Sequence, residues 1–146
     1  MLTMILTAWA LVAACVAIHS VGLMCAFQWI KRRESRLGGG FWRATGLLIL
    51  VAGWAILLHL LQIGVWAAFY LRAGGMPDFS TAFYFSAITY TTTGYGDVLL
   101  PESLRLYGGV EALTGILMCG LSTGMFFAAF VRAFGLPRTG QFSPGT

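Results

Sequence analysis

Three long runs of apolar residues dominate the chain, at about residues 1–30, 45–71 and 104–131. Each run exceeds the roughly 20 residues that a helix needs to cross the hydrocarbon core of a bilayer. A fourth apolar run, over residues 79–91, is too short to cross. The pattern therefore predicts an all-α membrane protein with three transmembrane helices and one short re-entrant helix between the second and the third.

Glycine, proline and polar residues mark the connections between these runs. Basic residues and three consecutive glycines predict a loop over residues 31–43, and the glycines and proline of residues 74–77 predict a turn. Asp78 or Ser80 can cap the short helix at its start. Residues 133–146 are rich in Gly, Pro, Ser and Thr, which predicts a short disordered tail.

Composition agrees with a location in a membrane. Of the 146 residues, 58% are hydrophobic and only 10% are charged, and the mean hydropathy is +0.81. This is far too apolar for a soluble domain of the same length. The first run lacks a basic start and is longer than the roughly 7–15 apolar residues of a signal peptide, so we expect it to remain as a transmembrane helix.

The net charge of +4 is best explained by membrane topology. Five of the nine basic residues lie between Lys31 and Arg43, and Arg132 and Arg138 follow the third run. Because loops rich in Lys and Arg stay on the cytoplasmic side, we expect the middle loop and the C-terminus inside and the N-terminus outside. The basic residues are not interleaved with stacking aromatic residues, so nucleic-acid binding is not expected.

A polar stretch from Thr91 to Asp97 joins the short helix to the third run and has the sequence Thr-Thr-Thr-Gly-Tyr-Gly-Asp. It resembles the selectivity filter of the potassium-channel pore domain, for which Thr-Val-Gly-Tyr-Gly is the usual string. Thr93 stands where that string has valine. The alternative is an ordinary turn between helices, since a bare Gly-Tyr-Gly is common there; the full string between two apolar runs favours a filter.

The resemblance implies that K⁺ ions are the only cofactor and that backbone oxygens replace their water shell. The expected ligands are the carbonyls of Thr92, Thr93, Gly94 and Tyr95 with the Thr92 hydroxyl, and Gly96 completes the predicted ion-binding string. Glycine suits such a backbone because it readily adopts left-handed dihedral angles. The ring of Tyr95 is expected to pack outward and hold the diameter of the pore.

The resemblance extends over roughly residues 45–131 and is greatest to small bacterial ion channels that carry a two-helix pore domain. It implies a pore domain at residues 44–132, divided into outer helix 45–71, pore helix 79–91, filter 92–97 and inner helix 104–131. One filter cannot enclose an ion, and the family builds its pore from four chains, so the resemblance implies a homotetramer in the lipid bilayer. The helix at residues 1–30 lies outside the resemblance. It is expected to pack around the pore, to stabilise the tetramer or to bind an unknown partner.

The expected support of the filter departs from the bacterial pattern. There an acidic residue of the pore helix braces the filter aspartate, whereas the matching residue here is Ile88. Asp97, expected at the outer mouth, must therefore find another partner or stay solvated. Glu111 is an ionisable residue inside the third span, where a charge is costly and usually functional. We predict that Glu111 supports the filter from behind; the alternative is a carboxylate that reaches the outer interface or a water.

Gating residues are predicted from the third span. Gly115 or Gly120 can let the inner helix bend, and Phe126 or Phe130 can form an apolar constriction near its cytoplasmic end. Close packing between helices explains the same residues equally well.

Two histidines, His19 and His59, lie in the first and second spans. Each is alone in its own helix, with no second metal ligand three or four residues away. Each can therefore act as a proton sensor or form a hydrogen bond between helices.

These features predict a potassium-selective channel for passive conduction across the cell membrane. Two alternatives remain: a less selective cation channel on the same scaffold, which Tyr95 between two glycines disfavours, and a non-conducting accessory subunit of a channel complex. No cluster of His, Cys or carboxylate residues has metal-binding spacing, and no Ser, His and Asp form a plausible catalytic set. We therefore do not expect an enzyme.

Overall fold

The computed structural model describes residues 1–37 and 40–134. Its elements are α1 (Leu2–Leu37), α2 (Phe41–Arg72), α3 (Phe79–Tyr90), a 3₁₀ turn (Glu102–Leu104) and α4 (Arg105–Ala133). Three helices, α1, α2 and α4, are long and apolar enough to cross a membrane, whereas α3 has 12 residues. The predicted all-helical class with three long apolar helices is therefore confirmed.

The end of α1, the start of α2 and the end of α4 meet in one apolar cluster. Its buried members are Ile30, Leu47, Val51, Met125 and Ala129. Because the cluster joins the late parts of α1 and α4 to the early part of α2, α2 runs antiparallel to both. Inside a bilayer such a cluster stabilises the fold through close van der Waals packing, since lipid tails are as apolar as the side chains.

An aromatic cluster lies at the opposite end and surrounds α3. The ring of Tyr70, which is fully buried, lies 6.1 Å from the ring of Trp66 and 5.4 Å from that of Phe85. The rings of Phe69 and Tyr107 are 4.8 Å apart. Aromatic pairs at such separations contribute roughly 0.5–1.5 kcal/mol beyond the area that they bury. The cluster holds α3 between α2 and α4 and so positions the segment that follows α3.

Asp78 begins α3 as its N-cap. Its backbone is extended, and its carboxylate accepts one hydrogen bond from the Thr81 N–H at 2.9 Å and one from the Thr81 hydroxyl at 2.8 Å. Of the two caps that the sequence allows, Asp78 is the one present, and it pairs an N–H group that the first helical turn leaves free. The same two bonds lower the pKa of the Asp78 carboxyl.

The helices are longer than their apolar runs around the loop predicted at residues 31–43. α1 continues through the basic residues to Leu37, and α2 begins at Phe41. Lys and Arg are good helix formers, so hydropathy marks where a helix suits lipid and not where it ends. Residues 38 and 39 lie outside the described residues, as do residues 135–146 of the predicted tail.

We predict that Asp78→Ala lowers the melting temperature of the protein in detergent, because Thr81 loses its acceptor. Ser80→Ala is the matched control, since it removes a neighbouring hydroxyl that does not cap the helix. The cap should also depend on pH. Because folding lowers the pKa of Asp78, its contribution is complete above the ordinary aspartate pKa and is lost as the pH falls through the lower folded value. Equal melting temperatures for the two variants at neutral pH would contradict the prediction.

Candidate functional site

The segment that follows α3 has an unusual backbone. Thr92, Gly94 and Gly96 have φ values of 59°, 55° and 75°, and they alternate with Thr93 and Tyr95, whose φ values are not positive. Glycine adopts positive φ readily, whereas a β-branched threonine does so at a cost on the order of 1–3 kcal/mol. Within residues 1–37 and 40–134, Thr92 is the one non-glycine residue with positive φ. Strain of this kind concentrates at functional sites.

Backbone hydrogen bonds attach this segment to α3. The N–H of Thr92 donates to the carbonyl of Thr89 at 2.9 Å, and the N–H of Gly94 donates to the carbonyl of Ile88 at 3.0 Å. Ile88 therefore supports the segment through its backbone, although it lacks the carboxylate that the bacterial pattern has at this position. These bonds hold the segment against the carboxyl end of α3.

The hydroxyl of Thr93 also has a partner. It lies 2.9 Å from the hydroxyl of Thr91, which donates to the carbonyl of Ala87 at 2.7 Å. A valine at residue 93 would leave the Thr91 hydroxyl with its helix contact alone. Because residue 93 is threonine and not the valine of the usual string, one more hydrogen bond holds the segment to the end of α3.

The other side of the segment is uncovered. Residues 91–97 are all exposed, and the side chain of Tyr95 is 72% exposed. No carbonyl of residues 92–96 accepts a hydrogen bond from another residue in the described part of the chain. The segment is therefore fixed on the side of α3, while its carbonyl oxygens and its large aromatic ring are free to contact an ion or another chain.

Asp97 has a partner on α3. The hydroxyl of Tyr84 donates to Asp97 Oδ2 at 2.7 Å, and this bond raises the pKa of Tyr84. The bond connects the end of the exposed segment to the middle of α3. The sequence does not predict Tyr84 as this partner, although Tyr84 lies one helical turn before Ile88 on the same face of the helix.

Glu111 lies between three helices. It is fully buried, and its carboxylate accepts hydrogen bonds from the hydroxyl of Tyr70 on α2, at 2.8 Å, and from the hydroxyl of Ser86 on α3. It faces α3 and not the outer interface, and its expected support of the filter stays a prediction. Neither partner is predicted from the sequence, although a serine at residue 86, within an apolar part of α3, is a local signal for a buried hydrogen bond.

The four candidate gate residues differ in their surroundings. At Gly115 a Cβ would collide with the carbonyl oxygen of Tyr90, so glycine is required there for the close approach of α4 to α3. A Cβ at Gly120 would have nothing within 4 Å, and Phe126 and Phe130 are 39% and 37% exposed. Close packing thus accounts for Gly115, and the gating roles of all four stay predictions.

Comparison with protein families places most of the pore-like part of the chain in a known family. A family model described as "Ion channel" matches residues 47–132, which is more than half of the chain. The match includes most of α2, all of α3, the exposed segment and nearly all of α4. It leaves out α1.

The curated proteins similar to the chain include two potassium channels. It is 27% identical over 118 residues to the potassium voltage-gated channel protein Shal of Drosophila melanogaster, covering 80% of this chain and 19% of that protein. It is 36% identical over 77 residues to the voltage-gated potassium channel Kch of Escherichia coli (strain K12), covering 50% of this chain and 18% of that protein. The chain thus spans less than a fifth of the length of either relative. No solved structure matches it significantly.

We predict that Glu111→Leu destabilises the protein, because the buried hydroxyls of Tyr70 and Ser86 lose their acceptor. A buried polar group without a partner costs roughly 1–3 kcal/mol. The measurement is the melting temperature in detergent. Glu111→Gln, which keeps one acceptor oxygen, should fall between Glu111→Leu and the unchanged protein. Glu102→Gln is the control, because Glu102 is an exposed carboxylate 3.8 Å from Arg105. A Glu111→Leu variant as stable as Glu102→Gln would contradict the account.

Proposed function

The chain belongs to the ion channel family, and on that premise we propose that it conducts potassium passively across a membrane through a homotetrameric pore. In this proposal residues 92–97 form the selectivity filter, α3 is the pore helix, and α2 and α4 are the outer and inner helices. The observation that carries the proposal is the alternating sign of φ over residues 92–96.

Alternating φ gives this segment a backbone suited to cations. When left-handed and right-handed residues alternate, successive peptide groups turn the same way and point their like poles to one side. The carbonyls of Thr92, Thr93, Gly94 and Tyr95 then face a common axis, and the Thr92 hydroxyl adds an oxygen at the inner end. Such rings of oxygens replace the water shell of K⁺.

The exposed side of the segment argues for assembly. A peptide backbone at the depth of a membrane must be buried in protein or line a water-filled path. A single chain leaves residues 91–97 uncovered and the Tyr95 side chain 72% exposed. Four chains around one axis meet both requirements, because the carbonyls face the ions and each Tyr95 ring packs between neighbouring chains.

The direction of α3 also favours a cation. Its carboxyl end, at Tyr90, leads directly into the filter. The carboxyl end of a helix carries a partial negative charge, which stabilises a nearby positive ion. Asp97, exposed at the outer end of the filter, adds a carboxylate at the outer mouth and raises the local concentration of cations.

The proposed orientation follows from the basic residues. Lys31, Arg32 and Arg43 lie where α1 ends and α2 begins, and Arg132 lies in the last turn of α4. These ends of the three spans meet on one side of the molecule, which the positive-inside rule assigns to the cytoplasm. The N-terminus then lies outside, and the protein is a multi-pass protein of the cell membrane.

The test is potassium flux into liposomes that contain only the purified protein, with sodium as the comparison ion. We expect flux that favours potassium and that barium blocks. Equal potassium and sodium flux would indicate the less selective cation channel. A stable tetramer without flux, across the pH range of the assay, would indicate an accessory subunit. Either result would overturn the proposal.

We predict that Gly94→Ala abolishes potassium flux, since φ is 55° there and an alanine costs roughly 1–2 kcal/mol in each of four chains. Gly74→Ala is the matched control. Gly74 has a φ of 69°, a Cβ there would meet no atom within 4 Å, and the residue lies in the turn after α2, outside the filter. Equal loss of flux in both variants would show that strain alone, and not the filter, is responsible.

A further inference from the structure

Five polar side chains lie together where α1, α2, α3 and α4 meet, and we call them the polar ring. They are His19 of α1, His59 and Gln62 of α2, Tyr90 of α3 and Ser122 of α4. Four of them are buried, and His59 is half-buried. A cluster of this kind within apolar helices is costly unless every member is hydrogen-bonded.

Five hydrogen-bonding distances connect these side chains into a closed ring. Gln62 Nε2 lies 2.9 Å from His19 Nδ1, and the Tyr90 hydroxyl lies 2.7 Å from Gln62 Oε1. His59 Nδ1 lies 3.2 Å from the same Tyr90 hydroxyl. Ser122 Oγ completes the ring, at 3.0 Å from His59 Nε2 and 3.2 Å from His19 Nε2.

The carbonyl of Leu58 fixes the direction of these bonds. It lies 3.1 Å from Gln62 Nε2 and can only accept, so the amide nitrogen of Gln62 must face it. The second N–H of that nitrogen then donates to His19 Nδ1, which must be unprotonated. The amide oxygen of Gln62 accepts from the Tyr90 hydroxyl.

The orientation of the Gln62 amide determines where the remaining protons of the ring lie. With Nδ1 unprotonated, a neutral His19 carries its proton on Nε2 and donates to Ser122. The Ser122 hydroxyl donates to His59 Nε2, so a neutral His59 carries its proton on Nδ1 and donates to Tyr90. Each bond of the ring then holds one proton, and both histidines are neutral with opposite tautomers.

Close packing keeps α1 against α2 beside the ring. A Cβ at Gly22 would meet the end of the Leu58 side chain, which would have to move aside, so α1 and α2 are in close contact here. The indole N–H of Trp54 donates to the Gly22 carbonyl at 3.0 Å. His19, one turn earlier on α1, is thereby held in reach of α2.

Tyr90 connects the polar ring to the proposed filter. This residue ends α3, its hydroxyl belongs to the ring, and its carbonyl packs against Gly115 of α4. The next residues, Thr91 and Thr92, begin the exposed segment. A shift of the Tyr90 side chain therefore moves the backbone from which the filter starts.

We propose that the polar ring positions the carboxyl end of α3, and that a proton on either histidine opens the ring and lowers potassium flux. The proposal rests on the proposed potassium conduction. It gives α1, which the family match leaves out, a positioning role at the filter.

A further proton has no acceptor in the ring. On His19 it would sit on Nδ1 and face the N–H of Gln62, so two donors would oppose each other. On His59 it would sit on Nε2 and face the Ser122 hydroxyl, whose own proton would lose its acceptor. The first change breaks the Gln62–His19 bond and the second breaks the Ser122–His59 bond, each one residue removed from Tyr90 in the ring.

The titratable groups that contact the two histidines are the other histidine and Tyr90, which are all neutral while the ring is closed. The histidine rings face each other at 5.3 Å, so a proton on one repels a proton on the other. From α3 the facing group is Tyr90. The other titratable groups near Tyr90 are Cys15 on α1 and Cys119 and Glu111 on α4. One proton therefore enters at a time.

The first test measures the protonation of the two histidines and does not depend on ion conduction. The chain has two histidines, so ¹⁵N-histidine labelling gives two imidazoles for nuclear magnetic resonance in bilayers. At about pH 7.5, above the ordinary histidine pKa, we expect one imidazole protonated on Nδ1 and the other on Nε2. Tyr90→Phe should change the Nδ1-protonated signal, whereas Tyr107→Phe, which removes a hydroxyl outside the ring, should change neither. Identical tautomers, or no response to Tyr90→Phe, would overturn the proposal.

The second test is potassium flux as a function of pH. Flux through the unchanged protein should fall about fivefold when the pH is lowered from about 7.5 to well below the ordinary histidine pKa, the ratio that one net hydrogen bond of ~1 kcal/mol gives. Tyr90→Phe should show the low acid flux at every pH, and Tyr107→Phe should keep the original profile. An unchanged pH profile in Tyr90→Phe would overturn the proposal.

A second ring variant, and the tautomers of a protein that does not conduct, separate a failure of this proposal from a failure of the proposed function. Ser122→Ala opens the ring from α4 and should flatten the pH profile as Tyr90→Phe does, so a folding failure of one variant does not remove the test. If the unchanged protein conducts no potassium at any pH, the proposed function fails, and the tautomers alone then decide whether the ring exists.

Discussion

Backbone oxygens that accept no hydrogen bond within the described part of the chain are the constraint on which this structure depends. Residues 92–96 keep their carbonyls unpaired, and Thr92 holds a positive φ against its own preference. A strained segment of this kind persists only where its surroundings over-determine it. Here α3 supplies those surroundings, through the backbone bond from Gly94 to Ile88 and the side-chain bond from Tyr84 to Asp97.

Polar groups inside the apolar helices also hold the strained segment in place. Glu111 joins α4 to α2 and α3, and the polar ring joins all four helices. In an apolar environment each such group is stable only with its partners in place, so these contacts restrict the helices to one arrangement. The arrangement places the carboxyl end of α3, at Tyr90, beside α4 with no room for a side chain at Gly115.

Local chemistry made part of this structure predictable from the sequence. The lengths of the apolar runs locate the three spans, and Asp78 marks the start of α3, because both depend on residues close together in the chain. Contacts between helices could not be predicted in this way, because they join residues that are far apart in the chain. His19 and His59 appear alone in their own helices, yet they meet through Ser122. One local signal existed, since His59 and Gln62 are three residues apart and share a face of α2.

The most direct measurement of the central claim is the reversal potential of single channels in a planar bilayer, with potassium on one side and sodium on the other. If the carbonyls of residues 92–95 replace the water shell of K⁺, the current reverses far from zero voltage, in the direction that potassium permeation requires. A reversal at zero voltage would mean that the pore does not distinguish the two ions, and the assignment of residues 92–97 as a potassium filter would be wrong.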